Sequence, residues 1–199
     1  MMKFIETIKI VDGVVENFEY HKRRFSITFS YHFNSRDIPD FTSYVENILM
    51  IERERISKGI FKLRIVYSGE VLLYSVDLYS PRVIKTLKLV EDNGIDYSFK
   101  YENRSQIERL LKLKGDCDDI IIVKNGELTD TSFCNIVFER DGSFFTPSTY
   151  LLAGTNRERK IEEGFLKEER VRPCDIRRYN KVYIINSMLD LYPIERIEL

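Results

Sequence analysis

Four dipeptides that place Asp, Asn or Ser directly before Gly separate runs of apolar and β-branched residues. They are Asp12-Gly13, Ser68-Gly69, Asn125-Gly126 and Asp141-Gly142. A dipeptide of this kind accepts the backbone angles of a tight reversal, and between alternating runs it is the strongest short-range signal of a β-hairpin. We therefore expect strand pairs that are antiparallel and local in sequence.

Between the first two hairpins, apolar residues recur at spacings of three and four, which is typical of amphipathic helices. Helices are predicted there over residues 19–33 and 41–59, the second ending at Gly59. The opening part of the chain thus has the predicted order β-β-α-α-β-β.

The second half of the chain mixes strands with short helices. A helix is predicted over residues 103–115, with Asn103 as a possible cap, and a shorter one over 156–164. Strands are predicted at 181–187 and, on a sheet edge, at 193–199. Because regular βαβ alternation does not appear, the pattern favours an α+β fold over a doubly wound sheet.

The segment from residue 81 to residue 99 is polar, weakly patterned and contains Asn93-Gly94. We place a domain boundary there. This gives a small N-terminal α+β domain over 1–82 and a larger C-terminal α+β domain over 83–199. A chain of 199 residues is long enough to bury cores of this size.

The charge composition restricts the classes of partner. The 31 Lys and Arg residues nearly balance 32 Asp and Glu, and the formal net charge is -1. Such a chain has no global field to recruit nucleic acid or an anionic membrane. No apolar run approaches the roughly 20 residues of a membrane span, and Glu6 interrupts the N-terminal stretch that a signal peptide would need. We expect a soluble, cytoplasmic protein that acts on a small molecule.

Three cysteines, Cys117, Cys134 and Cys174, are widely spaced and form no Cys-x-x-Cys pair. This arrangement fits reduced thiols better than a disulfide framework or a zinc site. We therefore expect no metal ion.

Three features along the chain have the chemistry that a pyridoxal phosphate site requires. Such a site needs an amine for covalent attachment, a carboxylate beside the pyridine nitrogen and backbone amides at a helix start for the phosphate. Lys100, Asp130 and the turn at residues 154–157 are the candidates. Taken singly, each has a structural explanation: a solvated lysine, a local Asx turn and an ordinary helix cap.

Taken together and in order, these features resemble the fold-type IV pyridoxal-phosphate enzymes, or class IV aminotransferases. The family includes branched-chain and D-amino acid aminotransferases and 4-amino-4-deoxychorismate lyase. The matching stretches are FIETIKIVDG, YHKRRF, KLRIVYSG, KYENR, DDIIIVKNGELTDTSFCNIVF, TPSTYLLAGTNRERKIEEG and INSMLDLYPI. The resemblance implies a shortened small N-terminal domain, a larger C-terminal domain with a mixed, barrel-like sheet, a cofactor between the two domains and a homodimer.

The resemblance also implies roles for individual residues. Lys100 matches the lysine that binds the cofactor covalently and moves protons at the substrate carbon. Asp130 stands where most members have Glu, the residue that keeps the pyridine nitrogen protonated. The other implied cofactor contacts are Arg24, Thr155 and Asn156 at the phosphate, Leu152 on the ring and Ser187 in the last phosphate-side loop.

Two short patterns bear on the reaction. KYENR has the spacing K-x-x-N-R, which resembles the lyase more than the branched-chain enzymes, and INSM resembles lyase-like modules fused to aminodeoxychorismate synthase. We expect a lyase that converts 4-amino-4-deoxychorismate to 4-aminobenzoate and pyruvate for folate synthesis. Arg64 and Arg104 are candidate partners of substrate carboxylates, and a solvent-facing strand arginine is the alternative for Arg64.

Two alternatives stay open from the sequence. The first is an aminotransferase acting on a branched-chain or D-amino acid. The second is a non-catalytic relative that binds the cofactor weakly. His21, three residues before Arg24, is expected to order the helix start or to pack between domains rather than to act in catalysis.

Overall fold

A computed structural model gives the structure of the protein and describes residues 2–33, 38–69 and 71–198. The chain forms two compact units. The first consists of Met1–Ser80 together with Phe99–Asn103, and the second of Pro81–Ser98 together with Arg104–Leu199. The segment that carries Lys100 therefore belongs to the first unit, although residues of the second unit precede and follow it.

The first unit contains an antiparallel sheet covered by helices. Its elements are β1 Phe4–Val11, β2 Val14–Val15, α1 Phe18–Phe33, α2 Phe41–Ile51, β3 Ile60–Tyr67 and β4 Val71–Leu78. The sheet order is β2-β1-β3-β4. The predicted hairpin at Asp12-Gly13 is confirmed, with φ angles of 48° and 82° at the two residues. The hairpin between β3 and β4 is also confirmed.

The second predicted helix is shorter than expected. α2 ends at Ile51 and not at Gly59, and the amide of Glu52 makes the closing bond to the carbonyl of Ile48 at 2.9 Å. Residues 52–55 are all charged and offer no apolar face for another helical turn. Ile56 then returns to the core and is only 2% exposed.

Alternation along β1 directs one side of the strand into the core. Phe4, Glu6, Ile8 and Ile10 occupy these inward positions, and each is fully buried. The helix residues that share this core are Phe25 and Phe29 of α1 and Phe41, Val45 and Ile48 of α2. A carboxylate thus lies at an inward position of an otherwise apolar strand face.

Residues 99–103 extend the edge of the first sheet at the start of β1. Phe4 pairs with Tyr101 in an antiparallel bridge. The amide of Ile5 donates to the carbonyl of Lys100 at 2.9 Å, and the amide of Glu102 donates to the carbonyl of Lys3 at 2.9 Å. These bonds fix the backbone of Lys100 beside Ile5, the neighbour of Glu6.

The second unit is built on a large mixed sheet. Its elements are β5 Thr86–Glu91, α3 Ser105–Leu111, β6 Asp119–Lys124, β7 Glu127–Thr131, β8 Asn135–Arg140, β9 Ser143–Pro147, α4 Thr155–Glu162, β10 Leu166–Glu169, a 3-10 helix Pro173–Arg178, β11 Lys181–Ile185, β12 Tyr192–Ile194 and β13 Arg196–Glu198. The strand order is β10-β9-β8-β7-β6-β5-β13, with β11 on β8 and β12 on β11. Parallel pairs join β5 to β6, β5 to β13 and β9 to β10. The α+β class is confirmed.

Several elements of the second unit differ from the prediction. β5 lies inside the segment that was expected to be a connector, and its partners β6 and β13 are remote in sequence. β10 and the 3-10 helix were not predicted. α3 covers only Ser105–Leu111, and its N-terminal cap position is Arg104, not Asn103.

Within the described residues, no helix is long and apolar enough to cross a membrane. The same residues contain no cluster of three or more His, Cys, Asp or Glu side chains that could hold a metal ion.

Replacement of Phe25 by Ala tests the core of the first unit. Phe25 is fully buried and stacks on Phe41 with ring centroids 4.4 Å apart. We expect the free energy of unfolding to fall by about 3–5 kcal/mol, because the substitution leaves a cavity. Chemical denaturation measures this loss. Ile27→Ala on the same helix is the control, because Ile27 is 57% exposed and should change stability by roughly 0.5 kcal/mol or less.

Candidate active site

A buried cluster of charged and polar side chains lies between β1 and α1 in the first unit. Glu6 and His21 are fully buried, and Arg24 has a side chain that is 11% exposed. Nδ1 of His21 lies 2.6 Å from Oε2 of Glu6. Arg24 donates from Nε to Oε1 at 2.8 Å and from Nη2 to Oε2 at 2.6 Å. Both oxygens of Glu6 are therefore bonded to side chains of α1.

The pKa shifts of Glu6 and His21 indicate which of these groups are charged. Burial opposes ionisation of Glu6, but the charge and hydrogen bonds of Arg24, with those of His21, lower its pKa to about 2. Burial lowers the pKa of His21, the bond to Glu6 opposes this, and the charges of Arg24 and Lys100 add to the lowering. Glu6 is thus ionised and His21 neutral at neutral pH.

Arg24 and Arg64 are predicted site residues of the first unit, but the side chain of Arg24 is largely buried and that of Arg64 is partly exposed. Arg24 is held by Glu6, a residue that was not proposed from the sequence. The sequence carried one signal for Glu6, namely a charged residue at an inward position of a strand whose other inward residues are apolar. Arg64 lies 3.4 Å from Glu102, and the two side chains are 37% and 35% exposed. A pair this exposed contributes little and exchanges readily, so the substrate role of Arg64 stays a prediction.

Asp130 is the centre of the candidate site in the second unit. It lies in β7 and is 5% exposed. Its Oδ1 accepts a bond from Nδ2 of Asn135 at 2.8 Å. Its Oδ2 accepts from the amides of Leu151 at 3.1 Å and Leu152 at 2.9 Å. Burial raises the pKa of Asp130 to about 6, although these bonds and the charge of Arg157 act in the opposite direction.

Asn135 joins Asp130 to the loop before α4. Its Nδ2 also donates to the carbonyl of Leu152 at 3.0 Å. A Cβ atom placed on Gly154 would lie 1.9 Å from Oδ1 of Asn135. The loop can approach Asn135 this closely only because residue 154 is glycine.

The start of α4 has the features of an anion site. Gly154 is the N-cap residue, and among the described residues no side chain caps this helix end. Thr155 and Asn156 follow and are 2% and 4% exposed. The first amides of a helix and its dipole both favour a bound anion.

The side chain of Asn156 ties this helix start to the loop that contains Ser187. Its Nδ2 lies 3.1 Å from the carbonyl oxygen of Asn186 and 3.2 Å from that of Leu189. Asn186 closes the loop by accepting bonds from the amides of Met188 at 2.7 Å and Leu189 at 2.8 Å. The structure therefore brings two of the predicted phosphate-binding segments together.

Arg104 is placed against the turn that follows Asp130. Its Nη2 donates to the carbonyl of Ser132 at 2.6 Å. Its Nε is buried and has no hydrogen-bond partner among the described residues. The observed contact supports the turn between β7 and β8, and the predicted contact of Arg104 with substrate is untested.

Comparison with known proteins decides the family. The family model for amino-transferase class IV matches residues 99–197. An uncharacterised protein of Haemophilus influenzae is 30% identical over 188 residues, which cover 94% of this chain and 98% of that protein. The chain belongs to the class IV aminotransferase family. The resemblance inferred from the sequence motifs is confirmed.

Two solved structures share the fold of this class IV aminotransferase family member. A proposed 4-amino-4-deoxychorismate lyase from Haemophilus somnus 129PT is 28% identical, with a TM-score of 0.87 and coverage of 94% of this chain and 97% of that one. A hypothetical aminotransferase from Mycobacterium tuberculosis in its pyridoxal-phosphate-bound form is 16% identical, with a TM-score of 0.80 and coverage of 98% and 81%. The family match supports an enzyme, and the two structures support the fold.

Within each unit, taken by itself, there are residues with the chemistry that pyridoxal phosphate would require. Oδ1 of Asp130 accepts one bond from Asn135, whereas a carboxylate oxygen can accept two, so it retains capacity for a protonated ring nitrogen. The glycine at 154 and the buried amides at the start of α4 suit a phosphate group. Lys100 is the predicted source of the amine. The individual roles of these residues stay predictions.

Cofactor affinity should depend on the ionisation of Asp130. Because its pKa is raised to about 6, the carboxyl group gains its charge as the pH rises through that value, and only the charged form stabilises a protonated ring nitrogen. We expect affinity for pyridoxal phosphate to increase across this range, measured by absorbance titration of the apo protein. Asp130→Asn is the control, because any pH dependence of affinity that remains in this variant comes from the phosphate and from other groups. Superimposable pH curves for the two proteins would contradict the assignment.

Gly154→Ala should disturb the loop without removing any side chain that is predicted to bind the cofactor. The added methyl group would collide with Oδ1 of the buried Asn135, whose Nδ2 is bonded to both Asp130 and Leu152, so Asp130 and the start of α4 should be displaced. We expect affinity for pyridoxal phosphate to fall by about tenfold or more, which corresponds to about 1.4 kcal/mol. Gly94→Ala is the matched control, because a Cβ there meets only Asp92 at 3.5 Å. Equal affinities of the two variants would count against the proposed packing.

Proposed function

We propose that the protein is a pyridoxal-phosphate-dependent lyase that converts 4-amino-4-deoxychorismate to 4-aminobenzoate and pyruvate. The observation that carries this choice is the similarity, at 28% identity over 97% of its length, to a protein proposed to have that activity. The spacing K-x-x-N-R from Lys100 to Arg104 supports it. In this proposal the enzyme supplies 4-aminobenzoate for folate synthesis.

The reaction requires an amine that can gain and lose a proton. Pyridoxal phosphate, when bound, supplies an aldehyde for covalent attachment and a ring that accepts the electron pair left by proton removal. The amine of Lys100, in its neutral form, removes a proton from the ring of the substrate. The enolpyruvyl group then leaves with its oxygen and takes up a proton to become pyruvate. Aromatisation of the remaining ring drives the elimination.

Other side chains hold the cofactor in this proposal. Asp130 keeps the ring nitrogen protonated and Leu152 packs on the ring. The phosphate is bound by Arg24, the amides of Thr155 and Asn156, and Ser187. Arg64 and Arg104 bind substrate carboxylates.

The protein acts, in this proposal, as a cytoplasmic homodimer on a small molecule. The formal net charge of -1 supports the absence of nucleic acid and membrane partners. Dimerisation is supported by membership of the family.

An aminotransferase acting on a branched-chain or D-amino acid is the second candidate. The description of the matching family as amino-transferase class IV favours it. The two reactions differ in their products. A transferase takes the amino group from an amino acid, which leaves as a 2-oxo acid, and the cofactor stays in the amine form until a second 2-oxo acid accepts the group. The lyase releases pyruvate and leaves the aldehyde.

Turnover of 4-amino-4-deoxychorismate by the purified, cofactor-loaded protein is the deciding experiment. We expect 4-aminobenzoate and pyruvate in equal amounts. Lys100→Ala should lower the rate by at least about 100- to 10,000-fold, because the general base is lost. Lys167→Ala is the matched control, since Lys167 is an exposed residue of β10 and its loss should leave the rate unchanged.

Three results would contradict this proposal in different ways. Amino transfer without pyruvate release would favour the aminotransferase. A protein that stays colourless after incubation with pyridoxal phosphate would favour a non-catalytic relative. Turnover retained by Lys100→Ala would remove the assigned base.

A further inference from the structure

The proposed function uses Arg24 but leaves unexplained the two groups buried with it. Glu6 and His21 are fully buried and come from different elements, β1 and α1. Burying a carboxylate is costly unless it is paired and hydrogen-bonded. A leucine or isoleucine at this inward position of β1 would fill the core without that cost. The carboxylate therefore has a reason other than core packing.

The pairing of Glu6 with Arg24 is side-on and uses two parallel bonds. Nε and Nη2 of Arg24 donate to different oxygens of Glu6, at 2.8 and 2.6 Å. Because the guanidinium group is planar and rigid, two such bonds fix both its plane and the direction of its outer nitrogens. A single bond would leave the group free to rotate about its long side chain.

His21 holds the carboxylate from the same helix. His21 and Arg24 are three residues apart on α1 and therefore lie on one face. His21 is neutral, so the 2.6 Å contact to Glu6 makes Nδ1 a donor. The carboxylate is bonded to these two side chains, and its charge, together with burial, raises the pKa of the phenol of Tyr67 on β3. The charge of Lys100 acts on His21.

We propose that Glu6, supported by His21, is a positioning residue that orients the guanidinium group of Arg24 for binding the phosphate of the cofactor. The inference rests on the proposed use of pyridoxal phosphate but not on the choice between lyase and aminotransferase. Glu6 itself does not touch the cofactor in this proposal. It acts through Arg24, so its loss affects recognition of phosphate and leaves recognition of the aldehyde unchanged.

The test compares two aldehydes that differ only in the phosphate group. Pyridoxal phosphate and pyridoxal are titrated into the apo protein, and binding is followed by the absorbance of the lysine adduct. Glu6→Gln should lower the affinity for pyridoxal phosphate by about 10- to 100-fold, the range expected when charge-assisted bonds that position the ligand are lost. Binding of pyridoxal should change little. Glu6→Asp, which keeps the charge, should restore part of the selectivity for phosphate.

Two further variants show whether Glu6 acts through Arg24. In an Arg24→Lys background the charge remains but the planar fork is lost, so Glu6→Gln should cause little additional change in phosphate affinity. Glu16→Gln is the matched control for the substitution. Glu16 forms an exposed pair with Lys9 in the same unit, at 3.1 Å, and its replacement should leave both affinities as they are.

Folding is monitored separately, because removing one partner of a buried pair destabilises a protein. If Glu6→Gln does not fold, His21→Gln is used, which removes the imidazole but leaves a donor. In a folded variant, equal loss of affinity for both aldehydes, or no loss for either, would overturn the positioning role. A wild-type protein that binds neither aldehyde would overturn the proposed function and this role with it.

Discussion

Burial of the Asp130 carboxyl group is the constraint on which the second unit depends. Its two oxygens accept bonds from Asn135 on β8 and from the amides of Leu151 and Leu152. One side chain thereby joins two neighbouring strands to the loop that starts α4. Leu152 and the helix start at Thr155 take their places from this arrangement, and both are predicted contacts of the cofactor.

Two of the buried carboxylates, Glu6 and Asp130, have pKa values shifted in opposite directions, and the difference follows from their partners. Glu6 faces a guanidinium group at hydrogen-bond distance, which lowers its pKa to about 2 in spite of burial. Asp130 is bonded to neutral amides, which only partly offset burial, and its pKa is raised to about 6. Glu6 therefore stays ionised and can orient a cation. Asp130 can change its charge near neutral pH when a protonated ligand group binds beside it.

Hairpins and the helix α1 were predictable because their signals are local, as at Asp12-Gly13. β5 was not, since its partners β6 and β13 are distant in sequence and its own alternation is short. Ordered motifs gave Lys100 and Asp130 as candidates, because their spacing is shared by a family. Glu6 could be recognised only once β1 and α1 were paired, since nothing in the sequence alone shows which side chains an inward carboxylate meets.

The segment at residues 99–103 has a consequence for chimaeras made by recombination. It belongs to the first unit, while the segments on both sides of it belong to the second. A recombination breakpoint near residue 82 would therefore leave β1 from one parent bonded to a Lys100-bearing segment from another. Chimaeras that respect the physical units must carry residues 99–103 together with the N-terminal part, which requires three junctions instead of one.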